Sequence, residues 1–240
     1  MTAMGALTAM KCLSLIADFF LPRRCVVCNK RLQKGEAVVC GHCLLSNPMD
    51  GVFINFADNR MVDCLKGRGD VVRANALFEF HPSSPMSSLV YKLKYRGRAD
   101  IGVLMGRHVA QVLAPRGFFD GVDMVVPVPL TRRRRLQRGF NQSEMISEGI
   151  SEVTGIPVDS KSLRRVRFAG SQTTLSGVER MANVDGAFIL TDSEPLSSRH
   201  VLIVDDIFTT GATVSACMRE ISGKTSGTRF TILTLGMTKP

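Results

Sequence analysis

A short apolar run, Val201-Leu202-Ile203-Val204, ends at two adjacent carboxylates, Asp205 and Asp206. Ile207 and Phe208 follow, then a loop of hydroxyl and glycine residues, Thr209-Thr210-Gly211-Ala212-Thr213, and a helical stretch opens near Val214. Four consecutive apolar residues suit a strand covered on both faces. A strand end, a Gly/Thr turn and a helix N-terminus together make an anion site, because backbone N–H groups and the helix dipole converge there. The paired acids suit hydroxyls and a divalent cation close to that anion. An ordinary buried strand, turn and helix would leave Asp205 and Asp206 as two like charges with no evident partner. The ligand implied is a sugar phosphate.

The 240 residues allow one α/β domain and a small appendage. A net charge of +10 favours polyanionic ligands such as phosphates, nucleotides or nucleic acid. Between Met1 and Leu21, Lys11 and Asp18 interrupt the apolar stretch and no small-residue cleavage pattern precedes Pro22, which argues against a signal peptide. No run is long enough to span a bilayer. Leu13, Ile16, Ala17 and Phe20 recur at helical spacing, so a short amphipathic helix is expected there, and a cytoplasmic protein with no stable membrane insertion.

Residues 1–60 read as a separate small unit, a helix and a cysteine-rich knot closed by the breaker Asn47-Pro48. From 61 to 240, strands and helices alternate. Strands are expected at Val71 to Phe80 (as a strand or hairpin arm), Met124 to Val128, Val158 to Val166, Ala187 to Leu190, Val201 to Val204 and Phe230 to Leu235. Helices are expected at Met86 to Tyr95, Ile101 to Leu113, Asn141 to Val153 and Val214 to Ser222. This alternation predicts an α/β fold with a mainly parallel sheet and helices on both faces.

Two knuckles, Cys25-Val26-Val27-Cys28 and Cys40-Gly41-His42-Cys43, are separated by eleven residues, with Lys34-Gly35 offering a turn between them. Paired cysteines in a chain without an export signal point to metal rather than disulfides. Cys25, Cys28, Cys40 and Cys43 complete a closed four-sulfur shell for a structural Zn²⁺, with no open position for catalysis. His42 reads as an outward-facing bystander, and Cys12, Cys64 and Cys217 as apolar fillers.

The most basic stretch is Arg132-Arg133-Arg134-Arg135-Leu136-Gln137-Arg138-Gly139-Phe140-Asn141-Gln142. It leaves the C-terminal end of an expected strand, the side on which a parallel sheet binds ligands. It reads either as a solvated charged loop or as a pyrophosphate clamp. In the second reading Arg138, Gly139, Asn141 and Gln142 surround the pyrophosphate, and Gly139 permits close backbone approach. Arg132 to Arg135 suit a nucleic-acid backbone as well. A polar stretch from Leu163 to Asn183, carrying Arg164, Gln172, Thr173 and Arg180, is too long for a tight connection and reads as a surface loop or as a lid over a pyrophosphate.

Pro22-Arg23-Arg24-Cys25, the second cysteine pair, Tyr91-Lys92-Leu93-Lys94-Tyr95-Arg96-Gly97, Val126-Pro127-Val128-Pro129, Arg138-Gly139-Phe140-Asn141-Gln142, Gln172-Thr173, Arg180 with Asn183, and the Asp205-Asp206 segment occur in the order of the ComF family, also called the competence protein F or GntX-like family. The resemblance covers nearly the whole chain. The N-terminus is somewhat long for the pattern, with Met4 and Met10 as alternative starts. The segment around Asp205-Asp206 also resembles the phosphoribosyl-pyrophosphate (PRPP) motif of the type I phosphoribosyltransferases.

The resemblance implies a four-cysteine zinc-ribbon unit joined to a type I phosphoribosyltransferase-like domain. It assigns the ribose hydroxyls to Asp205 and Asp206, and the 5-phosphate to Thr209, Thr210, Gly211, Ala212 and Thr213, with Mg²⁺ bridging the ligand's oxygens. It further implies a role in DNA uptake beside a helicase partner. One expectation is an enzyme that transfers ribosyl 5-phosphate from PRPP to an acceptor, whose specificity sits in a hood from Met61 to Arg107. The other is a non-catalytic module that senses PRPP or a nucleotide and binds single-stranded DNA. Scarce aromatics in the finger and the absence of Trp weigh against DNA stacking there.

Overall fold

A computed structural model describes residues 23–36, 38–46, 55–81, 84–166 and 186–238. The helix expected around Leu13 to Phe20 lies outside them, as do Cys12, Gln172 and Arg180. The chain divides into two compact units, Met1–Asn47 and Pro48–Pro240.

In the first unit, Arg24 and Arg31 form an antiparallel bridge. The turn between them is closed by Asn29 N–H donating to the Cys25 carbonyl at 2.9 Å and Cys25 N–H donating to the Lys30 carbonyl at 2.8 Å. Asn29 takes the left-handed conformation (φ 60°) that asparagine tolerates. The Glu36 carboxylate receives the N–H groups of Gln33 (2.7 Å) and Gly41 (2.6 Å), which ties the middle turn to the start of α1 (Gly41–Ser46).

In the second unit, α2 (Arg60–Leu65) precedes the long strand β1 (Val71–Phe80). Helices α3 (Pro85–Tyr95) and α4 (Ala99–Leu113) lead to β2 (Met124–Pro127), and α5 (Arg132–Arg138) and α6 (Gln142–Thr154) to β3 (Leu163–Arg165). Strands β4 (Phe188–Leu190) and β5 (His200–Phe208), helix α7 (Ala212–Ser222) and β6 (Arg229–Thr238) complete it. The main sheet has the order β1-β6-β5-β2, and all its pairs are parallel. Strands β3 and β4 pair antiparallel in a separate two-stranded sheet.

Burial explains the apolar runs. Val201, Ile203, Phe230 and Ile232 join Met61, Leu65, Cys217 and Ile221 in one core cluster, which α2 and α7 help to cover. Leu89 and Leu93 of α3, Ile101, Met105 and Leu113 of α4, and Ile146 and Ile150 of α6 are also fully buried. Helices α4 and α6 approach backbone to backbone through glycines. A Cβ on Gly106 would overlap the Ile146 carbonyl oxygen, and one on Gly149 would overlap that of Val103.

Three sequence expectations change. Val158 to Val166 is not one strand. Val158 makes a single bridge to Val125, and only Leu163–Arg165 pairs further, with β4. Val71–Phe80 is no hairpin arm but a parallel edge strand on β6. The arginine run is a helix, N-capped by Thr131 Oγ1 on the Arg134 N–H and ended by Gly139 at φ 82°. Cys217 is fully buried as expected of an apolar filler, whereas Cys64 is exposed. Among the described residues no helix is long and apolar enough to cross a membrane.

Because neither glycine tolerates a methyl group without backbone displacement, Gly149→Ala is expected to destabilise the protein by about 1–3 kcal/mol. Urea denaturation would read this as a lower midpoint with an unchanged slope.

Candidate functional site

Strand β5 does not stop at Val204. Pairing with β6 carries it through Phe208, with Asp205 opposite Thr234 and Phe208 opposite Met237. The two acids are therefore strand residues, and neighbouring side chains of a strand point to opposite faces. Their partners differ accordingly. Asp205 Oδ1 accepts a hydrogen bond from Ser143 Oγ at 3.3 Å, in the first turn of α6, and from the Asp206 N–H at 2.8 Å. Asp206 Oδ2 lies 3.0 Å from the Lys94 ammonium, near the end of α3. Burial, and next the Asp206 charge, raise the Asp205 carboxyl to about 7, against the opposing pull of the Asp206 N–H, Lys94 and Ser143.

The loop after β5 turns at Gly211, whose φ is 73°. A Cβ there would meet the Phe208 ring at 2.7 Å and Leu65 at 3.2 Å, so the turn needs glycine for both conformation and space. With glycine at the N-cap, α7 has no side-chain cap. Thr209 and Thr210 are exposed, Ala212 and Thr213 are half-buried, and Thr210 Oγ1 lies 3.4 Å from the Ala212 nitrogen. Open first-turn amides at the positive end of a helix dipole bind an anion.

The RGFNQ segment separates by role. Asn141 is buried, with Oδ1 accepting from the Ser143 N–H and Nδ2 donating to the Val128 carbonyl. It caps α6 and anchors it to the end of β2. Gln142 is also buried, and its Oε1 receives Arg138 Nη1 at 2.6 Å. Arg138 lies 5.4 Å over the Tyr95 ring. Lys94, Tyr95, Gly97, Arg134, Gln137 and Arg138 line a cavity of about 490 Å³. Lys94 thus belongs both to this cavity and to the carboxylate pair. Gly139 is exposed at the end of α5.

Arg164 is exposed, and its Nε lies 3.5 Å from the Lys161 carbonyl. Its neighbour Arg165 takes the inner side, over the Phe188 ring at 5.2 Å. Burial, then the Arg134 charge, lower the Arg165 pKa, while the Asp205 carboxyl acts in the opposite direction. Sequence reasoning did not single out Lys94, Ser143 or Arg165. Lys94 stands in the YKLKYRG segment, where no local signal shows a partner 112 residues away.

In the first unit, the sulfurs of Cys25, Cys28, Cys40 and Cys43 all lie within 4.8 Å of one another. Cys28 and Cys40 Sγ are 3.7 Å apart. Four thiolates at about 2.3 Å from a tetrahedral Zn²⁺ are separated by about 3.8 Å, so the donor set and its spacing fit such an ion. Burial pushes the Cys25 thiol up, but N–H donors that include Cys40 and Val27 outweigh it and bring it to about 7. Burial raises Cys40 and Cys43.

No protein-family model matches the chain. It is 37% identical over 134 residues to the DNA utilization protein YhgH of Salmonella typhi, an alignment that spans 55% of the chain and 58% of the relative. It is 29% identical over 205 residues to the DNA utilization protein YhgH of Escherichia coli strain K12, spanning 81% of the chain and 88% of the relative. To Competence protein F of Haemophilus influenzae it is 28% identical over 195 residues, 80% of each chain.

The raised Asp205 carboxyl gives a signed pH dependence. Between its ordinary 3.8 and about 7, the folded protein holds a proton that the unfolded chain releases. Stability contributed at this residue therefore falls as pH rises through that window and is constant above it. Relative to the parent, Asp205→Asn is expected to gain urea stability from pH 5 to pH 8 when both are measured without divalent cations.

Proposed function

The chain belongs to the ComF family, and from that premise we propose that it binds PRPP with Mg²⁺ and transfers the ribosyl 5-phosphate to an acceptor in the service of DNA use or uptake. The observation that carries this reading is the adjacency of Asp205 and Asp206 to the uncapped N-terminus of α7. The 5-phosphate sits on the amides and hydroxyls from Thr209 to Thr213. The ribose hydroxyls lie on the two carboxylates, and binding exchanges the Ser143 and Lys94 contacts for them. Asp205 and Asp206 are the oxygen donors that would stand near Mg²⁺, a hard cation that, bound with the ligand, would supply positive charge to the leaving pyrophosphate. Arg138, fixed by Gln142, faces the pyrophosphate with its fork of donors. Arg164, Gln172 and Arg180 would add donors to the pyrophosphate.

In the reaction the bond from the ribose anomeric carbon to the pyrophosphate oxygen breaks, the pyrophosphate keeps the electron pair, and the acceptor nucleophile bonds to that carbon and loses a proton. A cationic ribosyl centre develops on the way, so positioning and leaving-group stabilisation carry the rate. Lys94 serves the same end by holding Asp206 in place before ligand arrives. In the first unit, the four cysteines hold one structural zinc whose binding energy folds the segment.

Calorimetry with PRPP and Mg²⁺ is expected to show binding that Asp205→Ala/Asp206→Ala abolishes. Absence of binding to the parent protein would end this reading. A screen of nucleobases and amines for pyrophosphate release then identifies the acceptor. Elemental analysis is expected to give one zinc per chain. Cys40→Ser is expected to lose it, with protease sensitivity appearing within residues 23–46.

A further inference from the structure

The chain has two tyrosines and no tryptophan. Both tyrosines stand on α3, one turn apart, and are 53% (Tyr91) and 62% (Tyr95) exposed. Their ring centroids are 5.1 Å apart at a tilt of 46°. The Arg138 guanidinium extends the row, 5.4 Å over the Tyr95 ring, and its Nη1 is held from behind by the buried Gln142. Three flat groups are thus arranged in sequence on the surface, and the last of them is immobilised.

The surroundings are cationic. Lys94 and Arg134 line the cavity that Tyr95 and Arg138 border, and no carboxylate lines it. Arg132, Arg133 and Arg134 are exposed on α5, and among the described residues none of them makes an ion pair, whereas Arg135 is held by Glu144 at 2.7 Å. Exposed aromatics beside unneutralised arginines match the two needs of an unpaired nucleic-acid strand. Its bases stack on aromatic and guanidinium planes, and its phosphates follow the positive charge. An acidic polypeptide would use the arginines but leave the stack idle. A duplex keeps its base faces inside.

We propose that single-stranded DNA docks on the surface of α3 and α5, with bases stacked on Tyr91, Tyr95 and Arg138 and phosphates along Arg132, Arg133 and Arg134. The surface shares Arg138 with the phosphoribosyl reading and otherwise rests on Tyr91, Tyr95 and the arginines of α5, which that reading does not use. It places the aromatic component of DNA binding in the second unit.

The two tyrosines make the test direct, because tyrosine emission reports this surface and nothing else. Titration of the full chain with an oligothymidylate is expected to quench that emission at low salt. Fluorescence anisotropy of the labelled oligonucleotide is expected to show roughly tenfold or greater loss of affinity in Tyr91→Leu/Tyr95→Leu, with the salt slope kept. Arg132→Ala/Arg133→Ala is expected to flatten that slope by about 0.7 for each phosphate that no longer meets an arginine. Three results would each overturn the proposal: no oligonucleotide binding at low salt, binding that leaves tyrosine emission and the Tyr91→Leu/Tyr95→Leu affinity unchanged, or equal quenching by polyglutamate. Calorimetry with PRPP on Tyr91→Leu separates the two readings. Quenching without PRPP binding by the parent would retain the platform and remove the transferase, and the reverse pattern would do the opposite.

Discussion

Carboxylates on consecutive residues of a strand covered from both sides repel each other where screening is poor. The second unit is organised around that cost. Strand alternation sends Asp205 and Asp206 to different faces, and a different helix answers each. Helix α6 presents Ser143 to the first, and α3 presents Lys94 to the second. The arrangement leaves Asp205 only partly compensated, which is why its carboxyl is raised to about 7. One acid is paired with a cation, and the other keeps a raised pKa with Ser143 and the Asp206 N–H as its donors.

The central strand, the Gly/Thr turn and the two cysteine knuckles were legible because each is written locally. Apolar runs, a glycine where only glycine fits, and Cys-x-x-Cys spacing need no knowledge of distant residues. The arginine run concealed a helix because it lacks an apolar stripe, although Thr131 and Gly139 carry the capping signals. Val158 to Val166 looked continuous because β-formers recur there. Asp159, by accepting the N–H groups of Lys161 and Ser162, turns the chain between the Val158 bridge and β3. Lys94, Ser143 and Arg165 were invisible for a different reason. Their partners are set by the packing of whole helices and strands on the sheet, which no spacing along the chain encodes.

Asn141 and Gln142 show how a motif divides its labour. Both are polar residues in a segment that points to anion binding, yet both are buried and face the protein. Asn141 fixes the end of β2 to the start of α6, and Gln142 fixes Arg138. The residue that meets solvent is positioned by residues that do not, so preorganisation is built into the motif itself.

The glycine contact between α4 and α6 has a mechanical consequence. Gly149 lies six residues from Ser143, about 9 Å along the helix axis at 1.5 Å per residue. With Gly106 and Gly149 as the fulcrum, a tilt of about 10° would swing the start of α6 by about 1.6 Å, enough to break a hydrogen bond. The helix is a lever that pivots at its buried glycine contact and carries its long end to the carboxylates. Close backbone seating at the fulcrum limits that tilt, and with it the displacement of Ser143, Gln142 and, through Gln142, Arg138.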